Sequence, residues 1–198
     1  MTYRFESGQS HQAQVAQWSE QGTHNPLVGG SSPFLRTIKV SSKMKFNLEE
    51  IKTFIDAQSP ETKIYIGCDS ERFRHKGLWH AHYTLVVVVH IDGKHGCKIF
   101  GEVQTEKDYD QKASKPTFRL MNEVFKISEL YLKLADVIAD REFEVHLDIN
   151  PKEEHNSSVV LSQAVGYIKG TCNVTPLVKP NAFAASYAAD RLRELRAA

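Results

Sequence analysis

The chain has 198 residues, which suits one domain or one domain with a tail and allows a sizeable apolar core. Its formal net charge of +1 argues against a strongly basic surface over the whole molecule, so nucleic-acid binding would need a local patch. The 3 cysteines lack CxxC spacing, which disfavours a disulfide framework and a zinc knuckle. No membrane-length apolar run or secretory leader is recognisable, so a membrane span is disfavoured and a cytoplasmic location is expected.

Residues 1–43 are rich in Gln, Ser, Gly and His and show no apolar period, which predicts a disordered segment. The codons that they allow also fit a transfer-RNA gene. A D-arm sequence can encode residues 15–21, an anticodon loop carrying CAT can encode 23–26, and a TψC arm can encode 30–33. We therefore interpret this segment as the spurious translation of an upstream tRNA gene, and we expect the folded domain to span residues 44–198.

The remaining residues predict a mixed α/β domain. Asn47 as N-cap, with Glu50 three residues later, indicates the start of a first helix. Polar residues 71–77 predict a turn, Asp92-Gly93 predicts a hairpin, and Gly170 is expected to end a helix. In chain order we predict a helix to residue 57 and then three strands, over 63–69, over 78–91 and, after the hairpin, to about 103. These are followed by a helix over 116–139, a strand over 143–148, a helix over 158–169, a strand over 173–178 and a final helix from 181.

Two of these strands are expected to end in an aspartate, Asp69 and Asp148. Right-handed crossovers would make the first, fourth and fifth strands parallel and adjacent, so both carboxylates would meet at the edge where open α/β sheets bind ligands. Two carboxylates that close raise each other's pKa unless a cation lies between them. Their oxygen ligands favour Mg²⁺ or Mn²⁺, so the pattern predicts a divalent-metal site.

Two further acids are candidates for the same site. Glu123 lies within the apolar stripe of the long helix, which indicates either an acid that faces the site or a residue paired with Arg119 four positions earlier. Asp190 in the final helix either faces the site or lies on a solvated face beside Arg191. The helical wheel does not choose between these alternatives.

Other polar residues near the expected site are candidate substrate contacts. Lys179 at the end of the fifth strand either contacts a phosphate or extends its amine to solvent. His155, in the loop after the fourth strand, either protonates a leaving group or has no role. Ser70 adjoins Asp69. The basic residues of segment 71–77 either contact a nucleic-acid backbone or are simply solvated.

Residues 63–190 resemble the YkuK-like branch of the ribonuclease H-like superfamily. The resemblance rests on Ile-Gly-Cys-Asp-Ser at 66–70, Arg-Leu-Met-Asn-Glu at 119–123, His-Leu-Asp-Ile-Asn at 146–150 and the long, most specific stretch at 179–190. The family's glycine-rich turn before the fifth strand reads Gly-Thr-Cys-Asn at 170–173 here, which leaves the start of that strand open.

The resemblance implies a five-stranded mixed sheet, with three antiparallel strands followed by alternating helices and strands and with helices on its faces. It further implies that Asp69, Glu123, Asp148 and Asp190 are the acids that hold two Mg²⁺ or Mn²⁺ ions for phosphodiester hydrolysis on RNA, DNA or a hybrid. A non-catalytic nucleic-acid-binding or scaffold domain and a phosphohydrolase of small substrates are the alternatives. The substrate, the mode of cleavage and the oligomeric state are not specified by the sequence.

Overall fold

A five-stranded mixed sheet organises the domain in the computed structural model, which describes residues 45–110, 112, 114–190 and 192. The strand order is β3-β2-β1-β4-β5. The pairs β1–β2 and β2–β3 are antiparallel, and β1–β4 and β4–β5 are parallel. This confirms the predicted ribonuclease H-like sheet, including the parallel first, fourth and fifth strands. The strands are β1 Lys63–His75, β2 Leu78–His90, β3 Cys97–Lys107, β4 Phe143–Leu147 and β5 Leu177–Val178.

Helices cover both faces of this sheet. They are α1 Leu48–Asp56, α2 Thr117–Ile138, α3 Leu161–Cys172 after a 3₁₀ turn at Asn156–Val160, and a short closing helix whose π-helical part is Ala184–Ala188. The start of α1 confirms its predicted cap, because the Asn47 side chain accepts a hydrogen bond from the Glu50 backbone N–H at 3.3 Å. No helix in the described part of the chain is long and apolar enough to cross a membrane.

The alternation of side chains along β1 and β2 builds two apolar layers. Ile64, Ile66 and Cys68 point into the larger core beneath α1, α2 and α3. Tyr65 points to the opposite face, where it packs with the closing helix. The valines of β2 divide in the same way, with Val87 and Val89 in the larger core and Val86 and Val88 under the closing helix. Burial of β2 on both faces, predicted from its valine run, is therefore confirmed.

Gly67 allows the closing helix to lie directly on β1. A Cβ atom at this position would come within 2.5 Å of the Ala185 backbone nitrogen, a distance that real contacts do not tolerate. The helix also presents alanines to the sheet, and Ala184 and Ala185 are fully buried. Small side chains on both elements therefore set how closely the last part of the domain approaches the middle of the sheet.

The first strand is longer than the sequence predicted. Residues 71–75 continue β1 and pair with β2 as far as His75 opposite Leu78. Lys76 and Gly77 make the turn with φ angles of 49° and 78°, so two residues suffice to reverse the chain. The polar residues that predicted a loop are strand residues of an exposed hairpin. Asp69 consequently lies inside β1 and not at its end.

The boundaries near the C-terminal part also differ from expectation. The helix α3 continues past Gly170 to the buried Cys172, and Asn173 ends it in a left-handed conformation with φ of 55°. Asn173 therefore ends this helix, and not Gly170 as the sequence predicted. The strand β5 is restricted to Leu177–Val178. The interpretation of residues 1–43 lies outside the described residues.

Candidate carboxylate site

The site predicted from the sequence lies where β4 stops beside β1. The last registered pair of these parallel strands is Cys68 and Leu147. Asp69 and Asp148 are the next residues on the two strands, which are spaced about 4.7–4.9 Å apart. Because β4 ends here, β1 continues without this neighbour, and side chains from both faces of the sheet can approach its edge.

Asp148 is held by two side chains from the end of the domain. Lys179, which follows β5, places its Nζ atom 2.8 Å from Oδ1 and donates to Oδ2 at 2.9 Å. Ser186 of the closing helix donates its hydroxyl to Oδ1 at 3.0 Å. The Asp148 side chain keeps 18% of its surface exposed, so it remains open to solvent. The closing helix is thus connected directly to the carboxylate at the end of β4.

Glu123 reaches the same place from the opposite face of the sheet. It lies in α2 with 3% of its surface exposed, and the Ser70 hydroxyl donates to its Oε1 atom. Arg119, one turn earlier, lies 3.8 Å from that oxygen and donates to the Ser70 carbonyl at 2.8 Å. Both alternatives weighed from the sequence therefore apply: Glu123 is near Arg119, and it also faces the edge of β1.

The start of α2 is fixed by a carboxylate in the preceding loop. The two oxygens of buried Asp110 accept the backbone N–H groups of Phe118 and Arg119, each at 2.9 Å. These N–H groups have no acceptor within the helix, so the contact caps it. The cap fixes the first turn of α2 and thereby places Arg119 and Glu123 against β1.

Three acids share an electrostatic environment at this edge. Burial raises the pKa of Glu123 well above its ordinary value, and the negative charges of Asp69 and Asp148 raise it further against the opposing effects of Ser70 and Arg119. The pKa of the buried Cys68 thiol is also raised, first by burial and then by Glu123 and Asp69. Cys68 is therefore a neutral core residue.

A divalent cation fits the chemistry of this donor set. Carboxylate oxygens are the ligands that Mg²⁺ and Mn²⁺ prefer, and a cation would relieve the repulsion that raises the pKa of Glu123. Within the described ranges, however, no three side chains of His, Cys, Asp or Glu converge closely enough to hold one ion together. In this arrangement Lys179 and Arg119 supply the nearby positive charge.

The fourth predicted acid, Asp190, lies in the closing helix. Its side chain is exposed on the closing helix, four residues after Ser186. Residues with this spacing lie on nearly the same side of a helix. The structure thus places Asp69 and Asp148 side by side at the end of β4 and Glu123 against Ser70, with Asp190 about one turn beyond the residue that contacts Asp148.

The candidate substrate contacts differ in whether they bond to the acids of the site. Lys179 and Ser70 are part of the carboxylate network, bonded to Asp148 and Glu123 respectively. His155 lies in the loop after β4, with 48% of its side chain exposed and Glu154 3.5 Å away. In the hairpin, Arg72 forms an ion pair with buried Asp108 at 2.5 Å, so this member of the basic segment has a structural role.

Sequence reasoning missed two residues that support the site. Ser186 was overlooked, although it is the one serine within the Ala-Ala-Ser-Tyr-Ala-Ala stretch and stands four residues before Asp190. His146 is fully buried and joins the closing helix to β4. Its Nδ1 atom accepts the Ala184 N–H at 3.0 Å, so the ring proton lies on Nε2 and is donated to Glu144 at 3.0 Å.

Comparison with known proteins identifies the family. The model of the ribonuclease H-like family matches residues 47–194, which is well over half of the chain and includes all four predicted acids. No curated protein and no solved structure gave a match. The matched region begins at the cap of α1 and includes the π-helical part of the closing helix. From its sheet, its motifs and this match, we conclude that the chain belongs to the ribonuclease H-like family, in its YkuK-like branch.

Proposed function

We propose that the protein is a divalent-metal-dependent nuclease that hydrolyses phosphodiester bonds in nucleic acid. The observation that supports this proposal is the placement of Asp69 and Asp148 directly after the last registered pair of the parallel strands β1 and β4, with the buried Glu123 bonded to Ser70, the residue after Asp69. A fold has no structural need to place a buried glutamate near two aspartates, because burial and their charges disfavour its ionised form. Membership of the ribonuclease H-like family supports a nucleic-acid-related role.

In the reaction a water oxygen adds to phosphorus, the bond from phosphorus to the leaving oxygen breaks, and a phosphomonoester and a hydroxyl group result. Asp69, Glu123, Asp148 and Asp190 would hold two Mg²⁺ or Mn²⁺ ions, which when bound supply an activated water and stabilise the leaving oxygen. Asp69 and Asp148 are adjacent on parallel strands and are the principal ligands in this proposal.

The remaining candidates bind and orient the substrate. The Lys179 amine, with 41% of its side chain exposed, can contact a phosphate from its position beside Asp148. Ser70 orients the Glu123 carboxylate through its hydroxyl. His155 is exposed in the loop after β4, where its imidazole can give a proton to the leaving oxygen.

The test uses the full chain with end-labelled single-stranded RNA, single-stranded DNA and RNA–DNA hybrid, each with Mg²⁺, with Mn²⁺ or with a chelator. We expect metal-dependent cleavage that Asp69→Asn and Asp148→Asn reduce by at least about 100-fold, since loss of even an outer-shell partner costs about 10- to 100-fold. The matched control is Asp140→Asn, an exposed acid more than about 20 Å from Glu123 along α2. Cleavage that persists in both site variants would indicate a contaminating nuclease and contradict the proposal.

A non-catalytic nucleic-acid-binding domain is the second candidate. The observation that favours it is the ion pair of Lys179 with Asp148, because this pair already neutralises one of the acids without a metal. Calorimetric titration with Mn²⁺ separates the two candidates. Metal binding that Asp69→Asn removes supports the nuclease, whereas oligonucleotide binding without metal binding and without cleavage supports the second candidate.

A further inference from the structure

We propose that the β1–β2 hairpin carries a base-stacking surface for single-stranded nucleic acid, formed by Phe73, His80 and His82. The surface continues the sheet face that bears Asp69. This inference rests on the proposed nucleic-acid substrate and specifies its class, namely a single strand whose bases are accessible. We refer to the three residues as the ring cluster.

The register of the hairpin places the ring cluster on the same face as Asp69. In β1, Asp69 and Phe73 are four residues apart, so their side chains point to the same side of the strand. Phe73 is directly opposite His80, and His82 is opposite Glu71, which lies between Asp69 and Phe73 in this alternation. Because cross-strand partners share a face, the ring cluster lies farther along the same face of the sheet as Asp69, toward the hairpin turn.

Contacts between the rings confirm that the three side chains form one cluster. The Phe73 and His82 rings are stacked, with centroids 4.1 Å apart and an interplanar angle of 16°. The centroids of Phe73 and His80 are 5.7 Å apart. His82 is fixed from the neighbouring strand, because its Nδ1 atom lies 2.8 Å from the Thr105 hydroxyl. Flat rings that are already stacked and held in position provide a preorganised surface for another flat ring.

The ring cluster lies beyond the part of this face that the closing helix covers. The closing helix buries Tyr65, Val86 and Val88 on this side of the sheet. Phe73, His80 and His82, nearer the hairpin turn, are each only partly buried. Phe73 belongs to neither apolar layer of the described residues, so its ring is available to a partner that binds at the hairpin.

The charges around the ring cluster favour a polyanion. Lys107 is exposed on β3 opposite His80, and Arg74 and Lys76 are exposed at the end of the hairpin. Glu71 is an exposed acidic residue on this face, between the cluster and Asp69. Cations along the outer edge can contact phosphates while the rings contact bases, which is the combination found where proteins bind single strands.

The spacing suits a strand that crosses both surfaces. Four residues of β-strand separate Asp69 from Phe73, a distance of about 13 Å. A single strand can span this with a few nucleotides, so that one phosphodiester lies at the carboxylates while a base a few positions away stacks on the ring cluster. A paired base in a duplex does not expose its face in this way, so the occupant is a single strand.

The experiment measures binding by the full chain of a short fluorescein-labelled oligothymidylate in the presence of a chelator, so that no cleavage occurs. We expect Phe73→Ala to weaken binding by about 5- to 150-fold, the range that corresponds to loss of one stacked base. Phe125→Ala, which removes an exposed ring on α2 beside Tyr167, is the matched control and is expected to bind as the unchanged protein does. An oligonucleotide of the same length with abasic sites should bind weakly to the unchanged protein and be insensitive to Phe73→Ala.

Phe73→Trp keeps the test decisive if the alanine variant folds poorly. We expect this variant to retain binding and its added tryptophan fluorescence to be quenched by oligothymidylate, whereas Phe125→Trp should show no such quenching. Equal binding by Phe73→Ala and the unchanged protein, or tighter binding of a duplex that ignores Phe73, would overturn the ring cluster and leave the proposed function standing. Failure of the unchanged protein to bind any oligonucleotide would overturn the proposed function as well.

Discussion

The Glu123 carboxyl group is buried between α2 and β1, and its pKa is raised above the ordinary range by burial and by Asp69 and Asp148. Ser70 and Arg119 act in the opposite direction, but the net effect is that the folded state disfavours the ionised form. In the pH range between the unfolded and folded pKa values, the folded state binds a proton that the unfolded state has lost. Stability therefore falls as pH rises through this range, and the full cost is present above the folded pKa.

We predict that Glu123→Gln stabilises the protein at neutral and higher pH and abolishes its proposed activity. The amide keeps an oxygen that can accept the Ser70 hydroxyl, and it removes a charge that its surroundings disfavour. Each kcal/mol gained in the free energy of unfolding should raise Tm by about 2–4 °C. Below about pH 4 the gain should vanish, because the carboxyl group is then protonated in both states. Thermal unfolding across this pH range measures the effect.

Glu129→Gln is the control, since Glu129 lies in the same helix with an exposed side chain and should show little change at any pH. A lower Tm for Glu123→Gln at neutral pH would mean that the attraction between the Glu123 carboxylate and Arg119 stabilises the folded state more than burial and the repulsion from Asp69 and Asp148 destabilise it. In that case the buried acid would serve the fold and would lose its value as evidence for a metal site.

At the scale of elements, the closing helix depends on a glycine. A Cβ atom on Gly67 would meet the backbone nitrogen of Ala185 at 2.5 Å, so the helix must move if any other residue is introduced. Because Ser186 of this helix bonds Asp148, such a movement would also disturb the carboxylate site. Packing and the proposed function are therefore coupled through one close contact.

We predict that Gly67→Ala lowers the free energy of unfolding by about 1–3 kcal/mol, the usual cost of overpacking. Proposed nuclease activity should fall as well, because the hydrogen bond of Ser186 to Asp148 would be strained. Urea unfolding measures the first effect. Gly170→Ala is the control: nothing lies within 4 Å of a Cβ added at this position in α3, and an alanine there should stabilise the helix by about 0.5–1 kcal/mol.

The elements that the sequence predicted correctly are those with a clear period. The apolar stripe of α2 and the valines of β2 carry a regular pattern, and both elements are where they were expected. The end of β1 was wrong because polar residues in an exposed hairpin resemble a loop, and only the turn at Lys76 and Gly77 distinguishes the two. The helical wheel could not place Asp190, because the π-helical turn widens the spacing that the wheel assumes.

The candidate site likewise contains features that the sequence could predict and contacts that it could not. The adjacency of Asp69 and Asp148 could be predicted because each comes directly after a run of apolar strand residues, and the two strands are parallel neighbours. The pairing of Asp148 with Lys179 joins residues 31 positions apart and depends on where the chain turns after β5. No local pattern encodes such a contact, although both residues belong to motifs that resemble the family.

At the scale of the whole molecule, the family match begins at the first helix of the described residues. The match begins at residue 47, and Asn47 is the cap of α1. α1 contributes Ile51 and Ile55 to the larger core, where both are fully buried. The domain is therefore expected to need α1, while the interpretation of residues 1–43 as a translated tRNA gene gives that segment no part in the fold.

This interpretation predicts that limited proteolysis of the full chain removes residues up to about Met44 and then stops, because segments without a packed core are cut first. A chain of residues 44–198 should unfold at the same Tm as the full chain, since a segment that was never selected to pack should contribute no buried apolar surface. Mass spectrometry of the trimmed product and thermal unfolding of both chains provide the measurements. A protease-resistant N-terminus, or a Tm several degrees lower for the shorter chain, would show that residues 1–43 stabilise the fold and would rule out the tRNA origin as the account of this segment.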